Sequence, residues 1–175
     1  MIKNLLFAIT LTATINSFAG DTTNIKVHDH TDMTWNGNYD EWGVFPDGSK
    51  TYRKIYLHYT MGCASSGCSD WDYTTKIEVL HRTGQLDTSL NEIIESYELA
   101  RVITPYGNGL NNNWEFTHIF DITDFASILQ DSVEIRAHYG GWSSGFSATL
   151  DFEFIEGTPP RNVTSLQNIY SGSVS

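Results

Sequence analysis

The sequence predicts an all-β protein: an antiparallel β-sandwich, with an eight-stranded jelly roll as the leading topology. Three observations predict it. About eight short segments alternate apolar and polar side chains, the period of a strand with one buried face. Clusters of glycine, proline and asparagine punctuate them at irregular spacing. Only two stretches admit a helix, and both are short.

Taken in order, Met1 to Ala19 carries Lys3, an apolar run from Leu5 to Ile15, and Ser17 and Ala19 at the two positions a signal peptidase reads. Residues 1–19 are read as a signal peptide, which places the rest of the chain outside the inner membrane, secreted or periplasmic. The run is too short to span a bilayer comfortably, so no membrane attachment is expected once the leader is removed. His28-Asp29-His30-Thr31-Asp32 falls on an N-terminal strand or arm. Two histidines at that spacing on a strand would share a face and could take copper or zinc, with Met33 or Met61 as soft ligands. Nothing else assembles around them, so they read as exposed polar residues, and no metal or cofactor is assigned.

Trp35 to Gly43 is turn-rich, and Pro46-Asp47-Gly48 is a turn with a mechanism: proline sets φ and glycine accepts positive φ. Tyr52 to Met61 and Thr74 to His81 alternate as strands. From Ser89 to Leu99, Leu90, Ile93, Ile94 and Tyr97 stand near helical spacing, but Tyr97, Leu99 and Val102 suit a sheet face. This reads as a polar excursion and then a strand from Ile94 to Ile103, ended by Pro105, which cannot donate to a ladder. Trp114 to Phe120 is a strand with Trp114, Phe116 and His118 on one side. Asp121 to Leu129 is a short helical turn that Thr123 or Asp124 could cap. Ser132 to Tyr139 and Phe146 to Ile155 complete the strands, with Gly140-Gly141-Trp142 in the flexible connection between them. Residues 159–175 read as a linker toward a further domain or a disordered tail.

The formal net charge of −11 argues against nucleic acid or an anionic membrane surface as partner. It fits a soluble secreted protein, or one whose ligand is neutral.

Cys63 and Cys68 stand five positions apart, followed at once by Asp70, Trp71 and Asp72. In an oxidising compartment, two close cysteines read as a bridge. Two cysteines cannot complete a zinc site. A bridge closing so short a loop contributes about 2–3 kcal/mol at most. Its larger effect is local: it pins the connection between two strands so that Asp70 and Asp72 enter the second at a fixed angle.

Cys63-x-x-x-x-Cys68-x-x-Trp71-Asp72, Ala100-Arg101-Val-Ile-Thr-Pro-Tyr106, Phe120-Asp-Ile-Thr-Asp-Phe125, Trp142, and Asp151-Phe152 leading to Gly157-Thr-Pro159 occur in that order. Together they resemble the N-terminal domain of the peptide:N-glycosidase F family, with residues 22–158 as the matching jelly roll. The resemblance implies two side-by-side jelly rolls with catalysis in the cleft between them. It implies hydrolysis of the amide that joins an asparagine side chain to the first N-acetylglucosamine of an N-glycan. The family's essential acid, the aspartate directly after the tryptophan, falls on Asp72. A carboxylate able to take a proton from water suits amide hydrolysis. Trp71, Tyr73 and Trp142 become candidate substrate contacts. The sequence also departs from the family pattern. Tyr73 replaces an arginine and so removes a fixed cation. Gly140 stands where the family has a glutamate, and a second assisting glutamate belongs to the other jelly roll.

The expected function is thus the N-terminal half of a secreted amidase acting on N-glycoproteins, inactive as this chain alone and partnered by a second jelly roll. The alternative is a non-catalytic module that binds glycan or protein. A copper monooxygenase of the peptide-amidating type is suggested by fold analogy only.

Overall fold

Phe146, Ala148, Leu150, Phe152 and Phe154 occupy alternate positions of one strand, and all are fully buried. Such a row needs a second apolar layer across from it, because one sheet face cannot hide itself. The computed structural model describes residues 20–168; the signal-peptide reading and residues 169–175 of the tail lie outside them. The strands are β1 (Thr22–Thr34), β2 (Gly37–Val44), β3 (Tyr52–Cys63), β4 (Thr74–Leu86), β5 (Glu92–Ile103), β6 (Glu115–Asp121), β7 (Ser132–Tyr139) and β8 (Ser144–Glu156), with a 3-10 helix at Thr123–Ile128. They form two four-stranded sheets, ordered β1-β8-β3-β6 and β2-β7-β4-β5. Every pairing is antiparallel. This is the expected jelly-roll sandwich.

The two inner faces interdigitate. Ile55, Leu57, Tyr59 and Met61 of β3 join the β8 row against Ile77, Val79, Ile135, Ala137 and Tyr139 of the other sheet. Burying each large side chain contributes about 1.5–3 kcal/mol. Except for the β4–β5 hairpin, successive strands change sheet. Four connections therefore collect at one end, where Thr34 pairs with Ser144, Cys63 with Phe146, Gly62 with Glu115, and Thr75 with Tyr139.

Three local expectations are corrected. Of the stretch Trp35 to Gly43, only Trp35-Asn36 is a turn; the rest is β2, paired along its length with β7 and clamped by a bidentate Arg136–Asp40 contact at 2.7 Å. The 3-10 helix is not capped by Thr123 or Asp124. The Asp121 carboxylate instead accepts the Thr123 N–H at 3.1 Å and its hydroxyl at 2.5 Å. β5 begins at Glu92, two residues earlier than expected, after a turn in which Asp87 accepts the N–H groups of Ser89 and Asn91.

The largest correction concerns His28, which is fully buried. Register breaks on either side of it, with φ +50° at His30, turn His28 inward and leave His30 exposed. The two imidazoles share no face for an ion. The His28 Nε2–H donates to the Ile135 carbonyl at 3.2 Å, and Nδ1 accepts from the Thr31 hydroxyl at 3.1 Å. One neutral tautomer satisfies both.

Burial holds the His28 imidazole below its ordinary value of 6.5. Below pH 6.5 the unfolded chain takes up a proton at this residue that the folded chain refuses. Stability is then lost as pH falls from 6.5 toward the lowered folded value, by up to about 1.4 kcal/mol per pH unit for one such group. Burial lowers His118 and His138 as well. In urea melts from pH 7.5 to 5, His28→Gln is expected to flatten the loss relative to wild type. Parallel curves would mean that His28 does not carry it.

Beyond β8 the tail stays in contact with the sandwich. The Arg161 guanidinium pairs with Asp124, and the Asn168 side-chain amide donates to the Ser96 carbonyl of β5 at 2.8 Å.

Candidate active site at the loop end

The segment from Cys63 to Tyr73 is tied at nearly every step. Cys63 and Cys68 form a disulfide with Cα atoms 4.4 Å apart. Within the ring, Gly67 takes φ +98° and returns its N–H to the Ala64 carbonyl at 2.9 Å. The ring is short, so the bridge fixes this loop far more than it fixes the fold. Buried Ser69 is the hub. Its hydroxyl meets the Ser143 hydroxyl at 2.6 Å, and its carbonyl accepts the Gly107 N–H at 2.8 Å. Only glycine permits this approach: a Cβ at position 107 would fall 2.2 Å from the Ser69 carbonyl oxygen, and one at 145 would fall 2.1 Å from its nitrogen. Farther along, Tyr73 and Thr104 exchange two hydrogen bonds, at 2.7 and 2.8 Å, and the Gly140 N–H donates to the Thr74 carbonyl at 2.9 Å. Three connections, β3–β4, β5–β6 and β7–β8, thus lock into one surface.

Asp70, Trp71 and Asp72 rise exposed from that surface. Interaction with the Asp72 carboxylate pushes the Tyr106 phenol, from the β5–β6 connection, above its ordinary value. The Tyr106 and Trp71 rings lie 6.3 Å apart. With Asp70 and Asn108 they line a cleft of about 450 Å³. In the sequence Tyr106 is the last residue of the Ala100–Tyr106 motif; it lies 34 positions from Asp72, and no local motif signals their approach.

The other two candidate contacts are placed differently. Tyr73 is half-buried, its ring edge-on to Tyr139 at 5.6 Å and packed on the core. Its side chain therefore faces away from Asp72. Trp142 stands 69% exposed on the β7–β8 connection. The arrangement offers a solvent-accessible carboxylate beside flat aromatic surface. It can accept a proton from a water or hold a polar ligand.

No protein-family model matches the chain. A curated relative, the peptide-N(4)-(N-acetyl-beta-D-glucosaminyl)asparagine amidase F of Elizabethkingia miricola, is 27% identical over 150 residues, which is 83% of this chain and 40% of the relative. A solved structure of PNGase F, a glycosylasparaginase from Flavobacterium meningosepticum, superposes with a TM-score of 0.59 at 26% identity, covering 80% of this chain and 43% of that one. The chain is similar to the N-terminal part of peptide:N-glycosidase F. It spans about two-fifths of the length of the curated relative it matches. A structure of PNGF-II, at 13% identity and a TM-score of 0.61 over 82% of this chain, shares the fold.

Gly140 follows β7 at this surface and carries no side chain. A Cβ at Gly140 would sit 3.2 Å from the Thr74 carbonyl oxygen, tight but with no positive φ to forbid it.

Proposed function

We propose that this chain is the N-terminal jelly roll of a peptide:N-glycosidase F-like amidase, and that Asp72 is its catalytic carboxylate. One observation carries the reading: Asp72 is exposed at the loop end, next to a Trp71 whose ring faces Tyr106, on a disulfide-pinned segment. The reaction is hydrolysis of the amide between an asparagine side chain and N-acetylglucosamine. Water adds to the amide carbon as Asp72 takes its proton. The carbon–nitrogen bond then breaks, the proton passes to the departing glycosylamine, and aspartate remains on the peptide. Trp71 and Trp142 offer apolar faces to the sugar. Tyr73 serves the scaffold, not the substrate. The remaining acids come from a second jelly roll docked at this end. The protein works outside the cytoplasm, where its disulfide persists; among the described residues no helix is long and apolar enough to cross a membrane.

The isolated chain is expected to release neither free glycan nor ammonia from a denatured N-glycoprotein, and to do so once joined to a second jelly roll. Release by the isolated chain would refute the two-domain reading. A second reading, a glycan-binding module without catalysis, is favoured by the absent carboxylate at Gly140. It predicts that the joined protein binds glycopeptide but never cleaves it.

A further inference from the structure

We infer that Trp35 is a glycan-contacting residue, a second stacking platform beyond the cleft at Asp72. The inference rests on the amidase reading above and names a contact that reading does not use. Trp35 belongs to the β1–β2 turn, far from the Trp71-Asp72 motif in sequence but at the same end of the sandwich. Its N–H donates to the Ser143 carbonyl at 3.3 Å, and the next residue, Asn36, donates to Gly141 at 2.5 Å. These bonds flank Trp142 on the β7–β8 connection, which is joined in turn through Ser143 and Ser69 to the segment bearing Trp71 and Asp72.

Two features of Trp35 lack a structural purpose. First, its indole is 66% exposed, as Trp142 is at 69%, Trp71 at 62% and Tyr106 at 61%. Four large aromatics left open on adjoining connections at one end form the kind of surface that marks a binding site. Second, Trp35 takes φ +44° and Asn36 φ +48°. A tight turn with two positive φ values favours Asn-Gly at its centre. The chain offers that pair at Asn36-Gly37, one position later, yet places the bulky tryptophan in the left-handed region. The conformation is strained, and the ring gains little packing from it. Strain held in place by neighbouring loops is characteristic of sites that present a side chain to a ligand.

The occupant is a pyranose ring. Its faces carry C–H groups that suit an indole, and its edges carry hydroxyls that suit the acceptors lining the cleft, Asp70 and Asn108. The net charge of −11 disfavours an anionic ligand. With the first sugar at Asp72, a platform two connections away meets a sugar further out along the glycan.

The test follows the five indole N–H resonances of the chain while a glycopeptide bearing an asparagine-linked glycan is titrated in. Trp35, Trp71 and Trp142 are expected to shift, and Trp42, on an outer sheet face, is not. Trp35→Ala is expected to weaken binding about three- to tenfold, and Trp35→Phe to restore most of it. Trp35→Gly separates binding from folding. It relieves the positive φ, so the Tm is expected to rise while binding falls. A lower Tm together with weaker binding would assign Trp35 a merely structural role and overturn the inference. If Trp71→Ala weakens binding while Trp35→Ala leaves it unchanged, the inference fails and the amidase reading survives. If no indole shifts, both fail.

Discussion

Asp72→Asn, made in the protein that carries both jelly rolls, is expected to slow glycan release about 10²- to 10⁴-fold, the range lost when a positioned general base is removed. The substitution is nearly isosteric. The asparagine keeps the shape of the side chain and an acceptor oxygen while the basicity is lost. Asp72 is exposed, and its replacement should change folding stability by no more than about 0.5 kcal/mol. The measurement is kcat/KM on an N-glycopeptide, with a thermal melt as the control. A rate within about tenfold of wild type, at unchanged Tm, would remove Asp72 from the chemistry.

The second large effect lies in the core. Phe152 is fully buried on β8, paired with Ile25 of β1 on one side and Leu57 of β3 on the other. Phe45 meets it edge-on with centroids 5.1 Å apart. Phe152→Ala removes the ring from a layer packed between two four-stranded sheets, so little collapse can fill the gap. The expected destabilisation is about 3–5 kcal/mol. That is a large share of the roughly 5–15 kcal/mol that holds a domain folded. The midpoint of urea unfolding should move down with its slope unchanged. Val44→Ala on the exposed face of β2 serves as the contrast and should shift it by no more than about 0.5 kcal/mol. Equal effects at the two positions would mean that the β8 row is not the centre of the core.

What was legible in the sequence, and what was not, follows from how each feature is encoded. β3 and β8 were plain because their inward positions are large and apolar without a break. β2 was hidden because one of its inward positions is Gly43. A Cβ there would fall 2.6 Å from the Phe45 ring and 2.8 Å from Val27, so the strand must omit the side chain that would have announced it. His28 was misread because alternation assumes an unbroken ladder, and the register shifts around it leave no mark in composition. The disulfide and the Trp71-Asp72 pair were readable because they are local. Tyr73 follows Asp72 directly, and alternation at a strand start places neighbouring side chains on opposite faces, a signal that the resemblance to the family's arginine obscured. The gathering of Trp35, Tyr106 and Trp142 beside that pair is a product of topology, since residues up to 107 positions apart meet only because the strands change sheet in a fixed order.

The anchored tail sets a direction of approach. Arg161 is held at the pole opposite Asp72, and Asn168 is fastened part-way back up the flank, against β5. A second jelly roll of the proposed amidase, joined beyond Asn168, would be tethered from the flank of the sandwich beside β5 and not from the pole that Arg161 marks.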